Sequence, residues 1–337
     1  MRQPAVKLGE LKTLITRAFV ANATAPENAV SVATALVGAE IDGQIGHGLS
    51  RVPAYAAQAQ SGKVNGRAVP RATRTAPAAV VVDAADGFAY PAIDLALREL
   101  GQLAPATGIA AAAIHHSHHF GVAGRHVERL AEQGLIGLIF GNSPKAIAPW
   151  GGKAALFGTN PIAFAAPRRT GPPLVVDLSL SKVARGKIMV AAQRGEAIPE
   201  GWALDADGKP TTDAKAALDG AMLAMGDAKG AALVLMVEIL AAALTDSSFG
   251  FEASSFFDAE GAPPRVGQFM IAIEPRPFAG LAFADRVERL IEAILAQPGA
   301  RLPGVRRLAE RDAAKTGTLR VDAKLLAEIE TLAKGAQ

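Results

Sequence analysis

The chain has 337 residues, half of them hydrophobic and a fifth charged, with 35 Lys+Arg against 32 Asp+Glu and no cysteine. That length and composition exclude a disordered or fibrous protein and imply two lobes on one polypeptide. The even charge balance excludes a nucleic-acid footprint and a polybasic membrane anchor, and the missing cysteines exclude disulfides, thiolate catalysis and Cys-ligated zinc or iron–sulfur sites.

Met1–Glu10 carries Arg2, Lys7 and Glu10 with no apolar stretch behind them, unlike a signal peptide, so a cytoplasmic protein is expected. Leu8, Leu11, Leu14, Ile15 and Phe19 recur at three- and four-residue spacings and predict a first amphipathic helix. Thr24-Ala-Pro-Glu27 reads as a capping box opening a second helix that runs to about Ile41. Then comes DGQIGHGLSRVPAY, Asp42 to Tyr55, where Gly43, Gly46 and Gly48 predict a bend or close backbone approach.

From Val80 short β-branched runs alternate with helical segments. Val80–Asp83, Ile109–Ile114, Leu135–Phe140, Ile162–Ala166, Val175–Asp177 and Phe269–Ile273 are strand candidates. Pro91–Leu103, Arg125–Gln133, Val183–Ala192 and Ala228–Leu244 are helix candidates. The most apolar stretch, Ala231–Leu244, is interrupted by Glu238 and is shorter than the ~20 residues of a membrane span, so it reads as a buried core helix with no membrane partner. After Pro275 the chain returns to helices, with one stripe at Val287, Leu290, Ile291 and Ile294 and another at Leu325, Leu326, Ile329 and Leu332. The fold class is therefore α/β (mixed α+β). Residues 1–75 with 276–337 are expected to form a helical substrate and dimerisation lobe, and 76–275 a cofactor-binding α/β domain.

Gly-x-Gly-x-x-Gly, His-Glu-x-x-His and Gly-x-Ser-x-Gly are all missing from the sequence. Asp205-Ala-Asp207-Gly208 starts like a calcium loop but fails at Lys209, and reads as a surface turn. All six histidines fall in two places, His47 alone and His115, His116, His118, His119 and His126 together. In an extended strand His116 and His118 would share one face and His115 and His119 the other. With no adjacent carboxylate to complete a ligand set, no metal is expected. Phe120-Gly-Val-Ala-Gly124 before a helix from Arg125 would point free amides at an anion, and a pyrophosphate fits there. His47 and Arg51 lie four residues apart, so a helix would project both from one face. Such a pair suits redox chemistry beside a carboxylate, Arg as a two-pronged clamp and His as a proton exchanger, although the same spacing also occurs on inert helix surfaces.

Taken with those residues, DGQIGHGLSRVPAY, SHHFGVAG and LFGTNPIAFAAP (Leu156–Pro167) resemble signature segments of the malate/L-lactate dehydrogenase type 2 family. Further matching segments are VVDLSLSKVARGKI (Val175–Ile188), GEAIPEGWALDADGKPTTD (Gly195–Asp213), GDAKG (Gly226–Gly230) and LPGVRR (Leu302–Arg307). The resemblance implies a homodimer with a non-Rossmann NAD(P)-binding domain on a largely antiparallel sheet, and a site between lobes that takes a small substrate carrying a carboxylate. On the matching positions His47 would be catalytic, with Arg51, Thr159, Arg185 and Gly186 binding substrate. His119, Phe120, Gly121, Val122, Ala123, Gly124, Asp177, Leu178, Ser179, Pro303, Gly304, Val305, Arg306 and Arg307 would contact the cofactor. Two or three of Arg301, Arg306, Arg307 and Arg311 on a 2′-phosphate would favour NADPH over NADH, which stays possible; the alternative is a solvated basic face.

Gly46 stands where the family has Ser or Thr, and Asp227-Ala228-Lys229 departs from the family's Gly-His/Tyr-Lys. Without a hydroxyl beside His47, an imine that arrives protonated needs less acid catalysis than a ketone. The expectation is an NADPH-dependent reductase of small cyclic 2-imino acids, similar to the Δ1-piperideine-2-carboxylate/Δ1-pyrroline-2-carboxylate reductases. The alternatives are a 2-hydroxyacid dehydrogenase for malate, lactate or sulfolactate, and a catalytically silent binding protein.

Overall fold

A computed structural model of the chain describes residues 3–335, so Met1 and Arg2 of the N-terminal stretch lie outside the described residues. The N-terminal elements are β1 (Ala5–Lys7), α1 (Leu8–Ala21), α2 (Pro26–Ile41) and α3 (Val52–Ser61). Next come β2 (Arg71–Ala76), β3 (Ala79–Asp83), α4 (Ala89–Thr107), β4 (Ile109–Ser117), α5 (Ala123–Ala131), β5 (Ile136–Gly141), β6 (Ile162–Ala166) and β7 (Leu174–Leu178). An insert holds α6 (Arg185–Arg194), β8 (Ala203–Leu204), β9 (Pro210–Thr211), α7 (Ala214–Asp219) and β10 (Ala221–Met222), ahead of α8 (Asp227–Glu238). The chain then runs through β11 (Val266–Ile273), α9 (Arg276–Ala279), α10 (Ala282–Leu295), α11 (Val305–Ala314), β12 (Thr318–Arg320) and α12 (Ala323–Leu332).

Seven strands form the main sheet in the order β2-β3-β4-β11-β5-β6-β7. Only β3 and β4 pair in parallel, and the other neighbours are antiparallel. Period-two alternation explains the layering. Val80, Val82, Ile114, Ile139 and Met270 point to one face and are buried under Ile93, Leu97 and Leu100 of α4 and Val127 and Leu130 of α5. Phe140, Phe269 and Ile271 point to the other face, where Val234 and Val237 of α8 cover them. Each large apolar side chain so buried contributes about 1.5–3 kcal/mol. A separate core joins the chain ends: Leu11, Ile15 and Phe19 of α1 pack with Val32 and Leu36 of α2, Tyr55 of α3 and Ile329 of α12. β1 and β12 pair beside it. α10 reaches instead toward the β6–β7 connection, where Glu288 accepts from Arg168 Nη2 at 2.9 Å.

Two local expectations are corrected, and one strand is unforeseen. α2 has no capping box: its N-cap is Ala25, Pro26 occupies the first helical position, and the Thr24 hydroxyl donates to Asn22 O at 3.3 Å. Proline presets the helical φ and has no amide to cap, so the side-chain cap is dispensable. β2 escaped the sequence pattern because RATRTA is a charged, exposed edge strand. The apolar segment after Ala228 is not buried all round. It widens to a π-turn over Ile239–Ala243, and Leu233, Leu235, Met236, Ile239 and Leu244 stay exposed, so its apolar character exceeds what one chain covers. No helix among the described residues is long and apolar enough to cross a membrane.

Candidate active site

His47 and Arg51 do not share a helix. His47 ends one 3-10 turn (Ile45–His47) and Arg51 ends the next (Leu49–Arg51), with Gly48 breaking the chain direction between them at φ −99°, ψ −135°. A Cβ on Gly48 would collide with the Glu40 carboxylate, which accepts from Leu49 N at 2.9 Å. The bend therefore brings the two side chains together without a common helix face.

His47 Nδ1 lies 3.2 Å from His119 Nε2, and the two rings stack at 5.1 Å between centroids. On its far side His119 Nδ1 meets the hydroxyl of Tyr55, buried in α3. A continuous chain, Tyr55–His119–His47, thus leads from the protein interior to the partly buried His47, leaving His47 Nε2 for a ligand. Burial pushes His47 down to about 4, with the nearby Arg51 guanidinium adding to the effect. Burial also drives His119 well below its ordinary value, followed by Arg51, His47 and His118. Both rings are neutral near pH 7, each able to accept or donate through the chain.

Arg51 is oriented from two sides. Its Nε donates to Gly46 O at 2.7 Å, and its guanidinium carbon lies 4.7 Å from the centre of the Phe257 ring. With Nε occupied and one face stacked, the terminal nitrogens form the edge that can fork onto a carboxylate. The loop carrying Phe257 is latched onto α3 and its C-terminal end: Gln58 Nε2 donates to Asp258 O at 2.8 Å, and the buried Lys63 Nζ lies 2.9 Å from Asp258 Oδ1. Phe256 of that loop packs 5.2 Å from both His118 and His119. His118 itself is 1% exposed, with both ring nitrogens unpartnered, among Tyr55, Phe88 and Phe256. Burial, then Lys63 and Arg51, depress it to about 3.

The segments matched to cofactor binding also converge. Gly124 N, near the start of α5, donates to Asp177 Oδ2 of β7 at 2.7 Å, so this amide already has an anionic partner within the protein. Burial raises the Asp177 carboxyl, opposed by the Gly124 amide and by Arg307. Arg307 is buried near the start of α11, donating to Glu128 Oε1 at 3.3 Å, and its Nε has no acceptor. Arg311 is fully engaged by Asp42 (2.8 Å) and Glu128 (2.6 Å), and Arg125 also reaches Asp42 at 2.9 Å. Arg301 and Arg306 are exposed. Gly121, at φ +69°, has no room for a side chain, because a Cβ would lie 2.7 Å from the Tyr90 hydroxyl. His119 joins His47, and Phe120, Val122 and Ala123 are buried.

Thr159 N donates to Ser143 Oγ at 3.0 Å, and Thr159 O accepts from Leu180 N at 2.9 Å, joining it to the end of β7. Leu178 there is half-exposed, and the hydroxyls of Ser179 and Ser181 meet at 2.8 Å. Arg185 donates to Leu218 O at 3.1 Å, toward α7. Gly186 lines a cleft of about 430 Å³ with Lys187, Val190, Ile198 and Trp202. Pro303, Gly304 and Val305 form the turn into α11, Gly304 at φ +84°.

The strand alternation of the histidines is corrected as well. His116 has φ +47°, which breaks the extended geometry and turns its ring onto His115, with the centroids 4.4 Å apart. A carboxylate does stand beside them in the fold: Asp83 Oδ1 lies 3.0 Å from His116 Nδ1. Tyr55, Phe256 and Phe257 likewise join the site only through the fold. One signal did exist for the first: the chain has only two tyrosines, and Tyr55 closes the same segment as His47.

A family model described as malate/L-lactate dehydrogenase matches residues 6–330. The chain is 54% identical over 306 residues to a (2R)-3-sulfolactate dehydrogenase (NADP(+)) of Chromohalobacter salexigens, covering 91% of each chain. It is 43% identical to a Delta(1)-pyrroline-2-carboxylate/Delta(1)-piperideine-2-carboxylate reductase of Pseudomonas syringae pv. tomato, covering 91% of this chain and 90% of the relative. The crystal structure of a delta1-piperideine-2-carboxylate reductase from Pseudomonas syringae pv. tomato superposes with a TM-score of 0.93 at 40% identity, over 98% of this chain and 99% of that one. By these matches the chain is an NAD(P)-dependent oxidoreductase. More narrowly, the chain belongs to the malate/L-lactate dehydrogenase family.

Proposed function

We propose that this protein is an NADP(H)-dependent dehydrogenase of a small 2-hydroxy acid of the 3-sulfolactate type. The observation that carries the reading is the Tyr55–His119–His47 chain. Gly46 removes a hydroxyl beside His47, which on sequence grounds favours an imine; His119 and Tyr55 supply a proton route without it. Gly46 has nothing within 4 Å of an added Cβ, so the same substitution leaves space next to His47 for a bulky polar substituent such as a sulfonate. The 54% identity to the sulfolactate enzyme points the same way.

In oxidation, neutral His47 takes the hydroxyl proton through Nε2 while Arg51 holds the carboxylate by its terminal nitrogens. A bound nicotinamide supplies the two-electron acceptor for the hydride leaving C2. A carboxylate on Arg51 also offsets the guanidinium charge, which after burial is the second cause that depresses His47. Reduction of the 2-oxo acid reverses these transfers. The buried Arg307 Nε without an acceptor suits an anion where α5, β7 and α11 meet, which fits a dinucleotide phosphate, and the exposed Arg306 adjoins it. In this reading the sheet binds its cofactor without a Rossmann crossover, and the exposed apolar face of α8 with the π-turn pairs with a second copy as a homodimer.

A second reading keeps the site and changes the substrate to a cyclic 2-imino acid; it is supported by the 43%-identical relative and the 0.93 TM-score. Initial rates with 3-sulfolactate, malate and lactate plus NADP+, and with Δ1-pyrroline-2-carboxylate plus NADPH, separate the two. Turnover of 3-sulfolactate well above the imine is expected. Fast imine reduction with inert hydroxy acids would install the second reading, and cofactor binding with no turnover of either class would indicate a silent binding protein.

A further inference from the structure

We propose that Asp83, His115 and His116 form a binding site for one divalent transition-metal ion of the Zn2+ or Co2+ type. One donor atom from each lies within 4.8 Å of the others. Asp83 and His115 are register partners on the parallel strands β3 and β4. The left-handed backbone at His116 then folds the second imidazole onto the same side, which an extended residue would not do. In a tetrahedral site with bonds of about 2.0 Å, neighbouring donors are roughly 3.3 Å apart. Asp83 Oδ1 and His116 Nδ1, at 3.0 Å, are already close to that spacing.

The carboxylate is held in place, because Asp83 Oδ1 also accepts from Ala85 N at 2.8 Å. The backbone is tied to the same corner: Ala84 N donates to His115 O and Asp86 N to His116 O, both at 3.0 Å. Local charge favours a cation. Asp83 and Asp246 lie near His115, and Arg265, the guanidinium beside Asp83, is spent on Asp86 through two contacts of 2.9 Å. All three side chains are partly exposed, so an ion can enter and water can fill a fourth position. Such an ion would pin β3 to β4 three residues before His119. It would be structural, since the His119 ring is committed to His47 and Tyr55.

The test uses untagged full-length protein stripped with EDTA, titrated with Co2+ by visible absorption and with Zn2+ by calorimetry. One equivalent per chain is expected, with a rise in melting temperature. His115→Gln and His116→Asn, the latter because Asn tolerates a positive φ, should each weaken binding by more than about 100-fold, the scale of damage to a metal shell. Asp83→Asn, which keeps the Ala85 contact possible, should weaken it as well, while His47→Ala should retain the equivalent. Absence of saturable binding to the wild type overturns the proposal. So does an equivalent that survives in the folded Asp83, His115 and His116 variants, or one lost on His47→Ala, which would place the ion at the paired histidines.

Discussion

Replacing His118 by leucine should remove a pH-dependent weakness of the fold. In the native protein this ring is held neutral, with its value near 3 against an ordinary 6.5. The unfolded chain therefore binds a proton that the folded chain refuses, and stability falls as pH drops below 6.5. At pH 5 the difference costs about 2 kcal/mol, a figure that barely changes for any folded value below about 4; at pH 7.5 it is under about 0.1 kcal/mol. Leucine approximates the imidazole in volume, keeps contact with Phe88 and Phe256, and cannot titrate. Any packing cost of the substitution applies at both pH values and cancels. Melting temperatures of wild type and His118→Leu at pH 7.5 and 5.0 supply the four numbers needed. The wild type should lose about 4 °C more than the variant over that interval, at roughly 2 °C per kcal/mol for a chain of this size. Equal losses would mean that His118 is solvated or paired, contrary to the contacts described.

Four further outcomes follow from the site and its supports. His47→Ala should lower turnover by ~10²–10⁴-fold with cofactor affinity nearly unchanged, read by steady-state rates and nicotinamide fluorescence. In the wild type, with His47 near 4 in the free protein, kcat/KM for hydroxy-acid oxidation should stay level down to about pH 5 and fall below about pH 4 as the ring protonates. Arg51→Ala should raise substrate KM strongly, and an unchanged KM would remove the carboxylate clamp. Asp42→Ala should destabilise the fold by about 1–3 kcal/mol in chemical denaturation, because it removes the Asp42 contacts of Arg125 and Arg311 and leaves Arg311 with Glu128 alone.

Much of the fold was legible because it rests on short-range periodicity. Ile162–Ala166 was read as a strand to the residue, and the apolar stripes of α1 and α12 fall where the spacing put them. The edge strand β2 was not, because its stability comes from pairing with β3 rather than from its own apolar pattern. At the site, His47 and Arg51 stood out by residue type and spacing. Their partnership with His119 did not, since 72 residues separate the two rings and only the tertiary fold closes that gap. Asp83 remained invisible for the same reason, being 33 residues from His116. The exposed apolar face of α8 shows the opposite limit: an apolar run predicts burial that the packing of this chain does not supply.

A structure of the protein with NADP+ and a 2-hydroxy acid bound would examine the proton chain at its working end. The substrate hydroxyl should lie about 2.6–3.2 Å from His47 Nε2, with the carboxylate forked on Arg51 and C2 against the nicotinamide ring. A substrate oxygen directed away from His47, toward another donor or open solvent, would contradict the role given to Tyr55, His119 and His47.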